Sequence, residues 1–313
     1  MYRFTSLIVL LILINMHVSA IDIWVSPSGS DSNIGTKDIP LATLYKAVLM
    51  ARELRQTNYP SIVEGIHIVM RGGTYQLSQT VVLSQKDAGS AASPTYIEAA
   101  PGETPIISGG MSVVDWQDAG VVPGLPAIAQ NRIWVANTPQ MAGVNLNFRQ
   151  LYVNNTKVNR ASSMESMNRL ISADKPNQTI QIPTPRMPVK NARNMELTVI
   201  QDWELATMRV KSIDSLGLNT KFTFQQPESG IEFKRPWPLL VATEGNPYNQ
   251  FYFLSNAIEL LNRPLEWYND STAGKLYYWP RAGQDKATVQ AIAPALETLI
   301  KIEGTLDLSL IHI

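Results

Sequence analysis

Residues 23–47, IWVSPSGSDSNIGTKDIPLATLYKA, constrain this chain more than any other stretch. A short β-branched and aromatic strand, Ile23, Trp24 and Val25, runs into a cluster of Ser, Pro, Gly, Asp and Asn that neither helix nor strand tolerates. Beyond it Leu44, Ala47, Val48, Ala51 and Leu54 recur at three-and-four spacing, which predicts a helix from Leu41 to about Arg55 with one apolar face. A strand, a polar loop and one amphipathic helix ahead of short strands is what a stack of parallel coils requires at its start. The first coil otherwise exposes its apolar interior and an unpaired edge, so the helix is expected to cover it.

Short apolar strands follow at Ile66–Met70, Thr80–Leu83, Thr95–Ala99 and Pro105–Ile107, parted by turn residues such as Arg71-Gly72-Gly73-Thr74 and Pro101-Gly102-Glu103. Taken alone, this rhythm fits either a β-sandwich or the coils of a β-helix. From about Met111 it is lost. Longer strand-like segments take over, with a Pro- and Asn-rich middle around Pro176 to Asn194. Phe148–Val153 and Lys157–Ala161 around Asn154-Asn155 predict a hairpin, because Asn accepts the positive φ of a tight turn. Asp202–Ile213 is another long strand candidate, and Thr288–Ile302 returns to short strands.

The wording of these segments resembles secreted right-handed parallel β-helix proteins that act on polysaccharides. Their N-terminal run "S-P-x-G-x-D, x-G-T, x-x-P-x-A-T-L, x-x-A" is matched by Val25, Ser26, Pro27, Gly29, Asp31, Gly35, Thr36, Pro40, Ala42, Thr43, Leu44 and Ala47. IVMRGGTYQL, TVVL and YIEAAPGETPIISGG look like the first coils of those proteins. Arg149-Gln150-Leu151-Tyr152-Val153-Asn154, Asn159-Arg160-Ala161, Pro264-Leu265-Glu266-Trp267-Tyr268 and Leu276-Tyr277-Tyr278-Trp279-Pro280 resemble later motifs of the same group. Together they are closest to glycoside hydrolase family 141 and its unclassified kin, with departures at Asn155 and Leu265, where glycines are expected, and at Ser255, where an acid is usual.

The resemblance implies a mainly β chain: a right-handed parallel β-helix of the pectate-lyase-like solenoid kind, with an N-terminal capping helix, incomplete coils and an inserted β-rich domain. The expected divisions are a signal peptide at 1–20, cap and first coils at 21–110, the insertion at 111–290 and a resumed β-helix at 291–307. Arg3, the apolar run Leu7–Ile14 and the small residues Val18, Ser19 and Ala20 predict cleavage after Ala20 and hence a secreted or periplasmic protein. The run is too short to span a membrane. LSLIHI at 308–313 is what a sequencing-adapter end encodes, so those residues are read as a scar and the chain as an N-terminal fragment. In the relatives the catalytic carboxylates come later, which puts them after Asp307.

Composition excludes other chemistries. There is no cysteine, no basic surplus at a formal net charge of zero, and of three histidines one is in the signal peptide and one in the suspected scar. That leaves His67 alone, too little for a zinc site or a histidine-served nucleophile, and nothing for nucleic acid phosphates. No cofactor is expected. Asp22, Asp31 and Asn33 could hold calcium, although turn chemistry explains them equally well. Glycoside hydrolysis needs only two carboxyl groups, and coils place such pairs without a short motif. Asp31, Asp87, Asp115, Asp202, Glu204 and Glu266 are candidates, each with a bland explanation in turns, surface faces or hairpins. Of Trp203, Trp237, Trp267 and Trp279, the residue most suited to an exposed sugar-stacking platform is Trp237, because Pro236 and Pro238 keep it out of a central strand. Asn154, Asn177 and Asn269 sit in N-x-S/T triplets. The function expected is a glycoside hydrolase acting on complex polysaccharide or oligosaccharide. The rivals are a polysaccharide lyase and a noncatalytic carbohydrate-binding or adhesion protein.

Overall fold

A computed structural model describes residues 20–57, 62, 64–185, 192 and 194–304. Nearly all of the expected signal peptide, Asp307 and the suspected scar at 308–313 lie outside the described residues. The chain is mainly β and divides into two compact units, with boundaries between Gly109 and Gly110 and between Ala295 and Leu296.

In the smaller unit the strands pair in parallel. β1 (Ile21–Val25), β2 (Ile66–Met70) and β5 (Thr95–Ala99) form one sheet in which Ile23, Ile68 and Ile97 stand side by side. β3 (Gly73–Gln76) pairs in parallel with β6 (Pro105–Ser108), and β4 (Val81–Leu83) with Ile300–Ile302. Ile23, Val25, Ile68, Met70, Tyr75 and Val81 meet in a single core. The helix α1 (Leu44–Gln56) closes onto that core with Leu44, Ala47, Val48 and Ala51 buried, as its spacing predicts, and with Leu54 packed at the margin. Thr43 caps it by accepting the Lys46 N–H at 3.1 Å.

The motif around α1 has a physical reason for each residue. Asp31 accepts the N–H groups of Ala42 and Thr43 at 3.0 and 2.9 Å and the Thr43 hydroxyl at 2.7 Å, fixing the loop to the helix cap. Gly29 runs so close to the next segment that a Cβ would stand 2.3 Å from the Leu41 carbonyl oxygen. Asn33 donates to the Pro40 carbonyl at 2.8 Å. The polar cluster weighed as a calcium site is therefore spent on holding the turn, and Asp22 lies apart from it on β1.

The larger unit holds an eight-stranded and a seven-stranded sheet, antiparallel except where Asn159 and Arg160 run parallel to Glu266 and Trp267. The hairpin Leu151–Val153 and Thr156–Arg160 turns through Asn154 and Asn155 at φ 48° and 59°, the geometry of the tight type I′ turn. Leu265 has φ 67°. Both positions expected to be glycine are thus left-handed, the conformation glycine adopts most readily. Where a parallel β-helix is expected, most of the strand pairing in the chain is antiparallel, and parallel pairing prevails only among the strands described for the smaller unit.

The helix expected from Leu41 begins at Leu44, and two expected strands also differ from what is seen. Ala291–Pro294, expected to open the returning coil, pairs antiparallel with Gly110–Val113 and with Tyr152 and Val153 inside the larger unit. Its alternating apolar residues serve an antiparallel sheet equally well, so the pattern carried no direction. The strand expected from Asp202 begins only at Leu205, because the Gln201 N–H donates to the Glu204 carbonyl at 2.9 Å and closes a turn.

Candidate functional site

That turn is the tip of the hairpin formed by β7 (Glu196–Ile200) and β8 (Leu205–Leu216), where Ile200 faces Leu205 across the strands. Trp203 stands on it, 65 % exposed. Trp237 comes from another direction. The short helix α2 (Glu228–Lys234) ends at Arg235, whose extended backbone leads into Pro236-Trp237-Pro238. Trp237 is 58 % exposed, and its ring centre lies 5.1 Å from that of Trp203 with the planes at 57°. Trp267 and Trp279 are buried in the unit's cores.

Arg235 ties the two supports of this pair together. It bonds Glu204, the residue after Trp203 on the turn, and lies 3.4 Å from Glu232 on α2. Glu232 is buried, and burial pushes its carboxyl above the ordinary range against the pull of Arg235, with Glu204 adding to the rise. One guanidinium thus serves two carboxylates on the segments that carry the two exposed indoles. The arrangement offers apolar faces flanked by hydrogen-bonding groups, which is what an amphipathic ligand such as a sugar ring requires.

A second concavity of about 640 Å³ lies in the same unit, lined by Ser162, Ser163, Glu165, Asn168, Tyr252 and Arg263 among others. Arg263 bonds Glu165 at its edge and lies 2.8 Å from Glu266. Glu266, one of the candidate acids with a bland explanation in turns, surface faces or hairpins, is fully buried. It accepts the N–H groups of Asn262 and Arg263 at 3.0 and 3.3 Å, while burial still pushes its carboxyl up. It anchors the turn before Trp267 and presents no free oxygen to a ligand.

The other acids are dispersed. Asp31 holds the cap of α1. Asp87 forms an ion pair with Arg52 at 2.7 Å. Burial pushes its carboxyl up, but Arg52 and the Ser84 N–H and hydroxyl outweigh it and leave it below the usual range. Asp115 is exposed with a left-handed backbone at φ 60°, and Asp202 is exposed beside Trp203. His67 lies on β2 with Nδ1 2.6 Å from a Glu98 oxygen and its ring 4.8 Å from that of Tyr96. Among the described residues no three His, Cys, Asp or Glu side chains gather as metal ligands, and no helix is long and apolar enough to cross a membrane. Asn154 and Asn177 are exposed, whereas Asn269 is buried and closed to modification.

Sequence reasoning missed Arg235 and Glu232, and treated Trp203 and Glu204 as unconnected. The available signal was the triplet Asp202-Trp203-Glu204, an indole between two acids at the end of an apolar strand.

A family model described as the GH141 insertion domain matches residues 131–281 of the chain, a stretch that contains the Trp pair and its supports. A solved structure named "Glycoside hydrolase" is 38 % identical and superposes with a TM-score of 0.82, covering 92 % of this chain and 48 % of that one. Among curated proteins, "Pectate lyase PEL9" of Emericella nidulans is 37 % identical over 92 residues, 29 % of this chain and 19 % of that protein. The chain spans about half the length of the glycoside hydrolase and about a fifth of the pectate lyase.

Proposed function

We propose that this chain is the polysaccharide-holding part of an exported glycoside hydrolase-like protein. In this reading the smaller unit is the opening of a right-handed parallel β-helix, sealed by α1, and the larger unit is the insertion that contacts the glycan. The observation that carries it is the likeness, across nearly the whole chain, to a glycoside hydrolase. The exposed indoles supply a surface suited to sugar rings. Export, with cleavage after Ala20, accords with a polymer too large to enter a cell.

Cleavage by such a protein follows a two-carboxylate scheme, in which one carboxyl group protonates the leaving oxygen and another attacks or activates water. Four of the carboxylates described above are already engaged. Glu266 and Asp87 are bound by arginine and backbone, and Glu204 and Glu232 share one guanidinium. The catalytic pair is assigned after Asp307, as the resemblance implies, and this chain is assigned a binding role. A second reading, polysaccharide lyase, is favoured by the pectate lyase likeness over 92 residues.

The test is electrophoresis of the chain through gels containing soluble polysaccharides, alongside assays for reducing ends and for unsaturated products. Retardation without turnover is expected. Robust hydrolysis abolished by a single Asp or Glu substitution among the described residues would overturn the division of roles, and ultraviolet-absorbing unsaturated products would establish elimination.

A further inference from the structure

We infer that Trp203 and Trp237 form a clamp for a single, uncharged polysaccharide chain, not for a crystalline surface and not for a uronate polymer. The inference rests on the polysaccharide-holding role proposed above and narrows its ligand.

Exposure is the first ground. A tryptophan carries among the largest apolar surfaces of any side chain, and leaving two of them more than half in water, in contact with each other, forgoes stabilisation that core packing would supply. Neither is a lone surface residue. They are brought together from two separate segments, the β7–β8 turn and the tail of α2, and those segments are tied by Arg235 through Glu204 and Glu232. A braced aromatic pair at the surface suits a ligand with apolar faces.

The angle between the rings sets the shape of that ligand. Planes inclined at 57° cannot both lie flat on one planar lattice of sugar rings. They can each meet a ring of a single flexible chain, whose successive residues are free to rotate about the linkage. The pair is a notch, and a chain fits it where a sheet does not.

Charge sets the chemistry. Asp202 and Glu204 flank Trp203, Lys234 and Arg235 precede Trp237, and Glu232 is buried, so the charged groups left at the surface beside the pair balance. Arg235 is already held by two of those carboxylates. A polymer bearing a carboxylate on every residue meets no positive surplus there, and the one guanidinium beside the pair is already engaged, so little offsets the cost of desolvating its charges. Neutral hydroxyls suffer no such penalty and accept or donate hydrogen bonds at the carboxylate and guanidinium edges.

The experiment uses the full chain and four soluble or solid probes: arabinoxylan, mixed-linkage β-glucan, polygalacturonate and crystalline cellulose. Affinity electrophoresis and pull-down are run on the wild type and on Trp203→Ala, Trp237→Ala and Asp202→Lys, with melting curves to confirm folding. The expected result is retention by a neutral soluble polymer that weakens about tenfold or more in each Trp variant, and no retention by polygalacturonate at low salt. Asp202→Lys, which leaves both indoles in place, is expected to raise binding of polygalacturonate while sparing the neutral polymer. Neutral-polymer binding that survives both Trp substitutions would overturn the clamp and leave the proposed function standing. Wild-type binding of polygalacturonate or cellulose that depends on the Trp pair would overturn the ligand class alone. Binding to none of the four would overturn both.

Discussion

Glu196 offers the sharpest test of how the larger unit is held together. It is 4 % exposed on β7 and accepts hydrogen bonds from Arg160 at 2.6 Å and from Arg149 at 3.1 Å. The two arginines are not equivalent. The Arg160 side chain is 11 % exposed and lies over the Trp267 ring at 5.7 Å, whereas that of Arg149 is 57 % exposed. Burial lowers the Arg160 pKa, and Glu196 is the largest influence opposing that fall. Glu196→Ala would strand a buried guanidinium, and breaking a buried pair in this way costs about 3–5 kcal/mol. Arg149→Ala removes a solvated partner and should cost at most about 1 kcal/mol. Replacing both buried partners together, as Glu196→Leu with Arg160→Met, should cost much less than Glu196→Ala alone, because the penalty lies in the unpaired charge.

Urea unfolding of the full chain, followed by tryptophan fluorescence, reads this directly, since Trp24 is the only indole of the smaller unit. A 3–5 kcal/mol loss moves the midpoint by a molar unit or more at m-values of about 1–3 kcal/mol per molar. The reasoning fails if Arg149→Ala costs as much as Glu196→Ala, or if Glu196→Ala costs under about 1 kcal/mol. Failure would mean that water reaches Arg160 well enough to replace its partner.

Three further outcomes follow from the same geometry. Gly29→Ala should disrupt the cap loop, because its Cβ would meet the Leu41 and Pro40 carbonyl oxygens at 2.3 and 2.6 Å; a melting temperature equal to the wild type would refute this. Leu265→Gly should be more stable than Leu265→Ala by about 1 kcal/mol, the reverse of the usual order, because residue 265 is left-handed; equal denaturation midpoints would remove the strain argument. Asp87 has a folded pKa below the ordinary value near 3.9, so its contribution is present above that pH and lost as the pH falls through the folded pKa. Asp87→Asn should therefore flatten the acid limb of α1 unfolding by circular dichroism below about pH 4, and an unchanged limb would count against the Arg52 brace.

Local features of the fold were legible because each is written in adjacent residues. The stripe from Leu44 to Leu54 buries the face its spacing defines, and Asn154-Asn155 makes the turn its chemistry allows. Direction was not legible. A four-residue strand such as Ala291–Pro294 has the same alternation whether its neighbours run with it or against it, and only the partners decide. The motif arginines Arg149 and Arg160 could be recognised by resemblance but not explained, since the acid they share, Glu196, is neither adjacent to them nor marked by any pattern.

The candidate site divides along the same line. Trp237 was singled out for a covalent reason, because flanking prolines cannot donate to a sheet, and it is exposed. Its companion lay in a segment read as a strand, where alternation would have put Trp203 on one of two faces with equal ease. It lies instead in a turn that the Gln201 N–H closes onto the Glu204 carbonyl, one residue before β8 begins, and there it is exposed. The same turn points Glu204 at Arg235, and the ion pair then fixes the spacing of the two indoles. Sequence can nominate a residue that its own neighbours expose. A site made by two distant segments becomes visible only when the contact that joins them, here one arginine between two acids, is seen.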